Sequence, residues 1–156
     1  MCEPSDDEFF MLAALKEAAA AAARGEVPIG AVAVLDGKII AGAGNRVEER
    51  KSVTAHAEVE LLHLLEEHFQ DWRMENVTVY VTKEPCAMCA GALVNARVKR
   101  LVYGLPDPRS GCCGSALDIT GFSGMLWQVQ VTGGVLAEKS GELIRDFFKA
   151  ARRREK

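Results

Sequence analysis

The stretch at residues 77–103, VTVYVTKEPCAMCAGALVNARVKRLVY, decides the fold. Its β-branched and aromatic residues cluster over 77–81 and again over 98–103, and this composition predicts two strands. Between them, residues 87–95 predict a short helix that begins after Pro85, because proline suits the start of a helix. Two strands joined by a helix in so short a segment predict a right-handed crossover between parallel strands.

The segments before this stretch add a hairpin and two helices. Apolar runs over residues 29–35 and 38–44 surround Asp36-Gly37, a dipeptide typical of a tight hairpin turn. The Ala-rich N-terminal segment predicts one helix, and apolar residues at helical spacing predict another over residues 58–69. The hairpin should add an antiparallel edge to the parallel part of the sheet.

The segments after this stretch complete the sheet. Glycines and prolines over residues 104–115 predict a loop, residues 127–132 predict the last strand, and residues 136 to about 153 predict the last helix. The order of elements predicts an α/β protein: a single three-layer α/β/α domain over residues 1–156, with residues 154–156 frayed.

Length and composition place the chain among ordinary globular proteins. It has 156 residues, of which 49% are hydrophobic and 26% charged, and this mixture excludes an intrinsically disordered chain. No window approaches the roughly 20 apolar residues of a membrane span, and the acidic N-terminus lacks the pattern of a secretory signal. We therefore expect a cytoplasmic protein without a membrane partner.

Charge is distributed unevenly along the chain. The net charge is −3, but residues 1–75 carry a net −8 and residues 76–156 a net +5. The basic end includes the run Arg152, Arg153 and Arg154. This run fits either a contact with nucleic-acid phosphates or a solvated helix end whose cations complement the helix dipole. Charge alone leaves both interpretations open.

Two cysteines and a histidine have the residue types and spacing of a zinc site. Cys86 and Cys89 follow Pro85 and lie three residues apart, on one face of the predicted helix, and His56 lies at the start of another predicted helix. Helix starts and strand carboxyl ends meet at one rim of such a sheet, so these side chains should converge. Two thiolates and an imidazole are ligands that zinc prefers, and a site with three protein ligands leaves the fourth tetrahedral position open.

Glu58 lies two residues after His56 and is the candidate proton carrier. A zinc ion with an open position binds water and lowers its pKa, and Glu58 would lie within reach of that water without acting as a ligand. A redox-active cysteine pair would leave both residues without a role. A structural zinc would need a fourth protein ligand, and a cysteine of the loop over residues 104–115 stays open as that ligand.

Together these residues resemble a known family. The pattern H-x-E at residues 56–58 with P-C-x-x-C at residues 85–89 is the signature of the zinc-dependent nucleobase deaminases. Beyond the signature, the chain resembles the bacterial tRNA adenosine deaminases, of the cytidine and deoxycytidylate deaminase superfamily, at residues 26–31, 44–46, 54–58, 84–92 and 146–148. The resemblance implies hydrolytic conversion of adenosine to inosine at the wobble position of tRNA. It also implies a homodimer and the cytidine-deaminase-like fold, a mixed five-stranded sheet flanked by helices.

The resemblance implies a role for individual residues as well. His56, Cys86 and Cys89 would hold one Zn²⁺ per chain, and Glu58 would carry protons between water, the purine ring and the leaving amine. The residues that would contact the tRNA anticodon stem-loop are Asn45 at the nucleoside, Ile29 at the base, Asp107 at a backbone sugar, and Phe148 and Arg152 on the last helix.

Two other functions compete with this interpretation. A deaminase of a free base or nucleoside, such as guanine, cytosine or cytidine, would carry the same zinc signature. A zinc-stabilised RNA-binding module without turnover would have no use for Glu58. The basic C-terminal residues favour an RNA substrate over a free base, because a free base has no phosphates to contact.

Overall fold

The structure, a computed structural model, describes residues 4–155, and of Pro4 and Ser5 only the backbone. Within those residues the helices are α1 (Pro4–Ala23), α2 (Val47–Arg50), α3 (Ala57–Phe69), α4 (Ala87–Asn95) and α5 (Ala137–Arg154). The strands are β1 (Gly30–Leu35), β2 (Lys38–Gly44), β3 (Thr78–Lys83), β4 (Arg100–Leu105) and β5 (Gln130–Thr132).

The strands form one mixed sheet in the order β2-β1-β3-β4-β5. β1 pairs antiparallel with both β2 and β3, whereas β3, β4 and β5 run parallel. Asp36 and Gly37 join β1 to β2 with φ angles of 50° and 76°, as a tight hairpin turn with two left-handed residues requires. The predicted hairpin and the predicted parallel crossover are both confirmed.

Side chains of the strands alternate between two helical layers. In β3, Val79 and Val81 belong to the core cluster that contains Leu61 of α3 and Leu93 of α4. Tyr80, between them, packs on the other face of the sheet in the cluster of α1, which α5 also contacts. Each face is therefore covered by helices, and the three-layer α/β/α prediction is confirmed.

Some predicted boundaries are wrong, for local reasons. β4 begins at Arg100 because the N–H of Val98 still donates to Leu93 O at the end of α4 (3.1 Å). β5 is shorter than the predicted 127–132, because the Val129 N–H donates to Thr120 O (2.9 Å) rather than to a neighbouring strand.

Besides one-residue shifts at the starts of α3 and α5, the helices differ from the predictions at two places. α2 is not predicted from the sequence pattern, and its four residues follow the end of β2 almost directly. α5 continues through Arg154, one residue into the segment predicted to fray, and Lys156 lies outside the described residues.

Candidate metal centre and substrate cavity

The three predicted metal ligands come from the starts of two helices. His56 is the residue immediately before α3, and Cys86 is the residue immediately before α4, both with extended backbone angles. Cys89 lies in the first turn of α4 and is completely buried. Because α4 follows the carboxyl end of β3, the cysteines lie at the rim where the parallel strands β3 and β4 end.

The ligand atoms of these residues lie close together. Nδ1 of His56 is 3.7 Å from Sγ of Cys86 and 3.5 Å from Sγ of Cys89, and the three residues form a group whose ligand atoms all lie within 4.8 Å of one another. Two sulfur donors and one imidazole nitrogen at such distances suit a tetrahedral ion with one further position. The group could therefore hold a metal ion.

The environment of the cysteines favours a thiolate. A hydrogen bond from the Cys89 thiol, assisted by the N–H groups of Cys89 and Met88 at the start of α4, lowers the pKa of Cys86 to about 5. That same donation, together with burial, raises the pKa of Cys89. In the free pair one sulfur is thus already ionised near neutral pH, as a metal ligand must be.

Glu58 lies beside this group without belonging to it. Its side chain is in the first turn of α3 and is only 4% exposed. Burial raises the pKa of the Glu58 carboxyl above its ordinary value, with the thiolate of Cys86 acting in the same direction. A buried carboxyl with a raised pKa holds a proton more readily than an ordinary carboxyl, which suits a general acid and base.

A cavity of about 80 Å³ adjoins the group. The residues that line it are Ile29, His56, Glu58, Lys83, Glu84, Cys86, Asp107 and Ser110. The structure thus brings together Ile29 and Asp107, two of the predicted substrate-contacting residues, with two metal-ligand candidates and Glu58.

Asn45 stands at the same rim but not in the cavity wall. It follows β2, and its N–H donates to the carbonyl of Ile29 (3.0 Å). Within residues 4–155, its side-chain amide makes two hydrogen bonds, both long: to Val27 O (3.5 Å) and from the Val47 N–H (3.4 Å). The amide therefore lies next to a residue of the cavity wall and is held by weak contacts.

The structure does not bring Phe148 and Arg152 to the cavity. Both are exposed, and both lie on α5, which packs on the face of the sheet covered by α1 rather than on the face of α3 and α4. Phe147, half-buried, contacts the ring of Phe148 edge-on at 5.4 Å between centroids. These residues form an outer surface of the molecule.

Three residues of the cavity are not predicted from the sequence: Lys83, Glu84 and Ser110. Lys83 Nζ lies 3.2 Å from an Asp107 carboxylate oxygen. Burial opposes ionisation of Asp107, but hydrogen bonds from Ser110, the Arg109 N–H and Lys83 outweigh it and hold the pKa of this carboxyl below its ordinary value. Their position was the available signal, because Lys83 and Glu84 lie between the strand predicted over residues 77–81 and the Pro-Cys pair.

The loop cysteines do not join the metal group. Among the described residues, the group consists of His56, Cys86 and Cys89, and neither Cys112 nor Cys113 is part of it. Both are buried free thiols, and burial raises the pKa of Cys113 to about 12. The possibility of a fourth ligand from this loop is therefore not supported.

Within residues 4–155, none of the helices combines the length and the apolar character needed to cross a bilayer.

Known proteins are similar to this chain in both sequence and fold. The family model of the MafB19-like deaminases matches residues 5–152. The tRNA-specific adenosine deaminase of Bacillus subtilis (strain 168) is 42% identical over 152 residues, which cover 97% of this chain and 94% of that protein. A solved structure from a study of A-to-I editing by tRNA:A34 deaminases at the wobble position is 42% identical, with a TM-score of 0.83 over 86% of this chain and 98% of that one. The cytidine-deaminase-like fold is confirmed.

A free-base deaminase shares the fold at lower identity. The guanine deaminase of Nitrosomonas europaea has a TM-score of 0.78 over 90% of this chain and 83% of that one, at 23% identity. At that identity the likeness shows the fold alone.

Proposed function

The chain belongs to the MafB19-like deaminases and to the tRNA-specific adenosine deaminases, and on that premise we propose that it deaminates the wobble adenosine of a tRNA anticodon. The reaction adds water at C6 of the adenine ring, expels the 6-amino group as ammonia and leaves inosine. The observation that carries the proposal is Glu58, a buried carboxyl with a raised pKa that lines a cavity beside a three-residue metal group.

We propose zinc as the metal, one ion per chain, held by His56, Cys86 and Cys89. The donor set supports zinc because two thiolates and an imidazole are typical ligands of catalytic zinc, which needs one further position for water. When bound, zinc acts as a Lewis acid that makes water a stronger nucleophile at neutral pH.

Glu58 moves the protons of the reaction. Its carboxylate oxygen takes a proton from the attacking water and delivers it to N1 of the adenine ring. It then carries the proton of the hydroxyl added at C6 to the 6-amino group, which leaves as ammonia while the C6 carbonyl of inosine forms. Its burial supports this role, because a carboxyl with a raised pKa is closer in proton affinity to the groups it serves.

The remaining wall of the cavity contacts the nucleoside. Ile29 packs against the base, and the Asp107 carboxylate, which is ionised, accepts a hydrogen bond from a ribose hydroxyl. Asn45 supplies an amide at the rim, since its present hydrogen bonds are long enough to be exchanged for a substrate contact.

The rest of the stem-loop lies outside the cavity, because about 80 Å³ holds little more than the reacting part of a nucleoside. We assign these outer contacts to α5, where Arg152 is exposed for phosphates and Phe148, 44% exposed, is available for stacking. Such contacts require the RNA to reach around the edge of the sheet from the cavity to α5.

Incubation of the purified protein with an anticodon stem-loop that carries adenosine at the wobble position tests the proposal. Nuclease digestion and mass spectrometry should show inosine at that position only, formed at least about a hundredfold more slowly with a Glu58→Ala protein. A wobble adenosine that stays unchanged with the zinc-loaded protein would contradict the proposed function.

We also propose that the enzyme acts as a cytoplasmic homodimer, as the sequence resemblance implies. Light scattering during size-exclusion chromatography should give twice the chain mass of 16.9 kDa. A species of the single-chain mass at micromolar concentration would contradict the dimer.

A further inference from the structure

Glu84 is a buried carboxylate between the end of β3 and the cysteine ligands. It is 3% exposed, and its hydrogen bonds come from backbone and hydroxyl donors of one loop. Oε1 accepts the Asp107 N–H (3.0 Å) and the Ser115 hydroxyl (2.5 Å). Oε2 accepts the N–H groups of Cys113 (3.0 Å) and Ser115 (3.1 Å). One side chain therefore ties both ends of the loop over residues 107–115 to the sheet.

The loop is shaped to fit closely around this carboxylate. A Cβ atom at Gly111 would lie 2.4 Å from Cδ of Glu84, so the loop could not approach so closely with another residue there. The N–H of Cys112 donates to the carbonyl of Pro85 (2.9 Å), the residue directly before Cys86. The loop is thus attached to the segment that carries the metal group.

The attached loop provides one wall of the substrate cavity. Asp107 and Ser110 line the cavity together with His56 and Glu58. The Asp107 carboxylate accepts the Ser110 hydroxyl (2.7 Å), and the Asp107 backbone N–H is held by Glu84. The position of the Asp107 carboxylate relative to the metal group thus depends on a hydrogen bond to a residue two positions before Cys86.

We propose that Glu84 is a positioning residue for substrate: it fixes the 107–115 loop so that Asp107 and Ser110 stand at the correct distance from the reacting base. The inference rests on the proposed function and extends it to a residue that acts through the loop it holds. The Cys113 N–H is buried, and a buried N–H that loses its acceptor is costly, so the loop rearranges when the carboxylate is changed. Small displacements of substrate-positioning groups lower the reaction rate strongly.

The test is Glu84→Gln, which keeps the shape of the side chain and replaces one acceptor oxygen by a donor NH₂ group. We expect the variant to keep one zinc per chain and to lower kcat/KM on the anticodon stem-loop about tenfold or more. Asp7→Asn is the matched control, since it also alters a buried carboxylate but on the opposite face of the sheet. At a temperature where both variants are folded, the control should keep the wild-type kcat/KM.

A double-mutant cycle separates positioning from general weakening. If Glu84 acts through Asp107, the Glu84→Gln/Asp107→Asn protein should be no more than about twofold worse than the poorer single variant. Fold-changes that multiply instead would overturn the proposal, and so would loss of zinc together with activity in Glu84→Gln.

Hydrogen exchange gives a readout that does not depend on turnover. The amides of Asp107, Cys113 and Ser115 should exchange at least about tenfold faster in Glu84→Gln than in wild type, because their acceptor is altered. Unchanged exchange would overturn the inference even if activity fell. If wild type fails to deaminate the stem-loop, the proposed function is wrong, and the exchange result alone then decides whether Glu84 holds the loop.

Discussion

The spacing of two residues between His56 and Glu58 brings both side chains to the same cavity. His56 precedes α3 and Glu58 lies in its first turn, so the carboxyl reaches the cavity from the same helix start as the imidazole. The sequence was sufficient to predict this arrangement because both helix starts could be recognised from Pro85 and from the periodicity of residues 58–69. It was not sufficient for Glu84, because the donors to that carboxylate come from a loop without regular pattern.

Replacing Glu58 by alanine should abolish most turnover and leave the metal in place. A general acid and base contributes about 10² to 10⁴ in rate, so kcat on the stem-loop should fall by at least that factor. Glu60→Ala on the same helix is the control, because Glu60 pairs with Arg50 and does not line the cavity. Near-normal kcat in a zinc-loaded Glu58→Ala protein would refute the role of Glu58.

Replacing Cys86 by alanine should remove the metal and lower stability together, because the energy of metal binding is also folding energy. Metal content by mass spectrometry and the thermal midpoint report the two effects. Cys112→Ala is the matched control: that thiol is also buried but lies outside the metal group, so the variant should keep its zinc. Full zinc in the Cys86→Ala protein would show that the ligand assignment is wrong.

At the scale of elements, regular patterns were predicted well and irregular connections were not. The hairpin of β1 and β2 followed from Asp36-Gly37 between apolar runs, and that pattern is local. β5 was predicted too long because apolar residues occur in the preceding loop as well as in the strand. Trp127 lies in that loop, and its indole N–H donates to Val98 O (2.8 Å). α2 depends on Glu26, whose buried carboxylate accepts the N–H groups of Glu48 (2.9 Å) and Glu49 (2.8 Å), a contact between distant residues.

The contact of α1 with the sheet should make stability depend on pH. Asp7 of α1 accepts two hydrogen bonds from the Arg100 guanidinium (both 2.8 Å) and one from the Tyr80 hydroxyl (2.8 Å). Burial opposes ionisation of Asp7, but these contacts outweigh it and lower the pKa of the carboxyl. The stabilisation is therefore complete above the ordinary Asp pKa of about 3.9 and disappears as pH falls through the lower pKa of the folded state.

Asp7→Asn should accordingly lower the free energy of unfolding by about 2 kcal/mol at pH 7, which is the typical contribution of a hydrogen bond to a charged group. Urea unfolding of wild type and variant between pH 7 and pH 3 measures the difference. It should stay constant down to about pH 5 and shrink below pH 4. A difference that is the same at pH 3 and pH 7 would show that ionised Asp7 is not the source.

At the scale of the whole molecule, the basic residues of α5 and the metal group lie on different elements. The metal group and cavity lie at the rim where β3 and β4 end, while the last turn of α5 carries Arg152, Arg153 and Arg154. The sequence could predict the basic end but not its placement relative to the cavity, because that depends on which face α5 covers.

Replacing Arg152, Arg153 and Arg154 together by alanine should weaken stem-loop binding and flatten its salt dependence, by about 0.7 in the logarithmic slope for each phosphate that an arginine no longer neutralises. Zinc content should not change. Lys38→Ala/Lys99→Ala removes two exposed charges beside the hairpin turn, at the opposite end of the strands from the metal group, and should have little effect. Equal slopes for wild type and the triple variant would show that these arginines form only a solvated helix end.

The substrate is the central claim, and one comparison tests it most directly. The specificity constant kcat/KM of the zinc-loaded enzyme should be measured on an anticodon stem-loop with a wobble adenosine and on free adenosine, guanine, cytosine and cytidine. Because the small cavity leaves much of the binding to contacts outside it, we expect the stem-loop to exceed each free compound by about a hundredfold or more. A free base or nucleoside deaminated as efficiently as the stem-loop would contradict the proposed substrate.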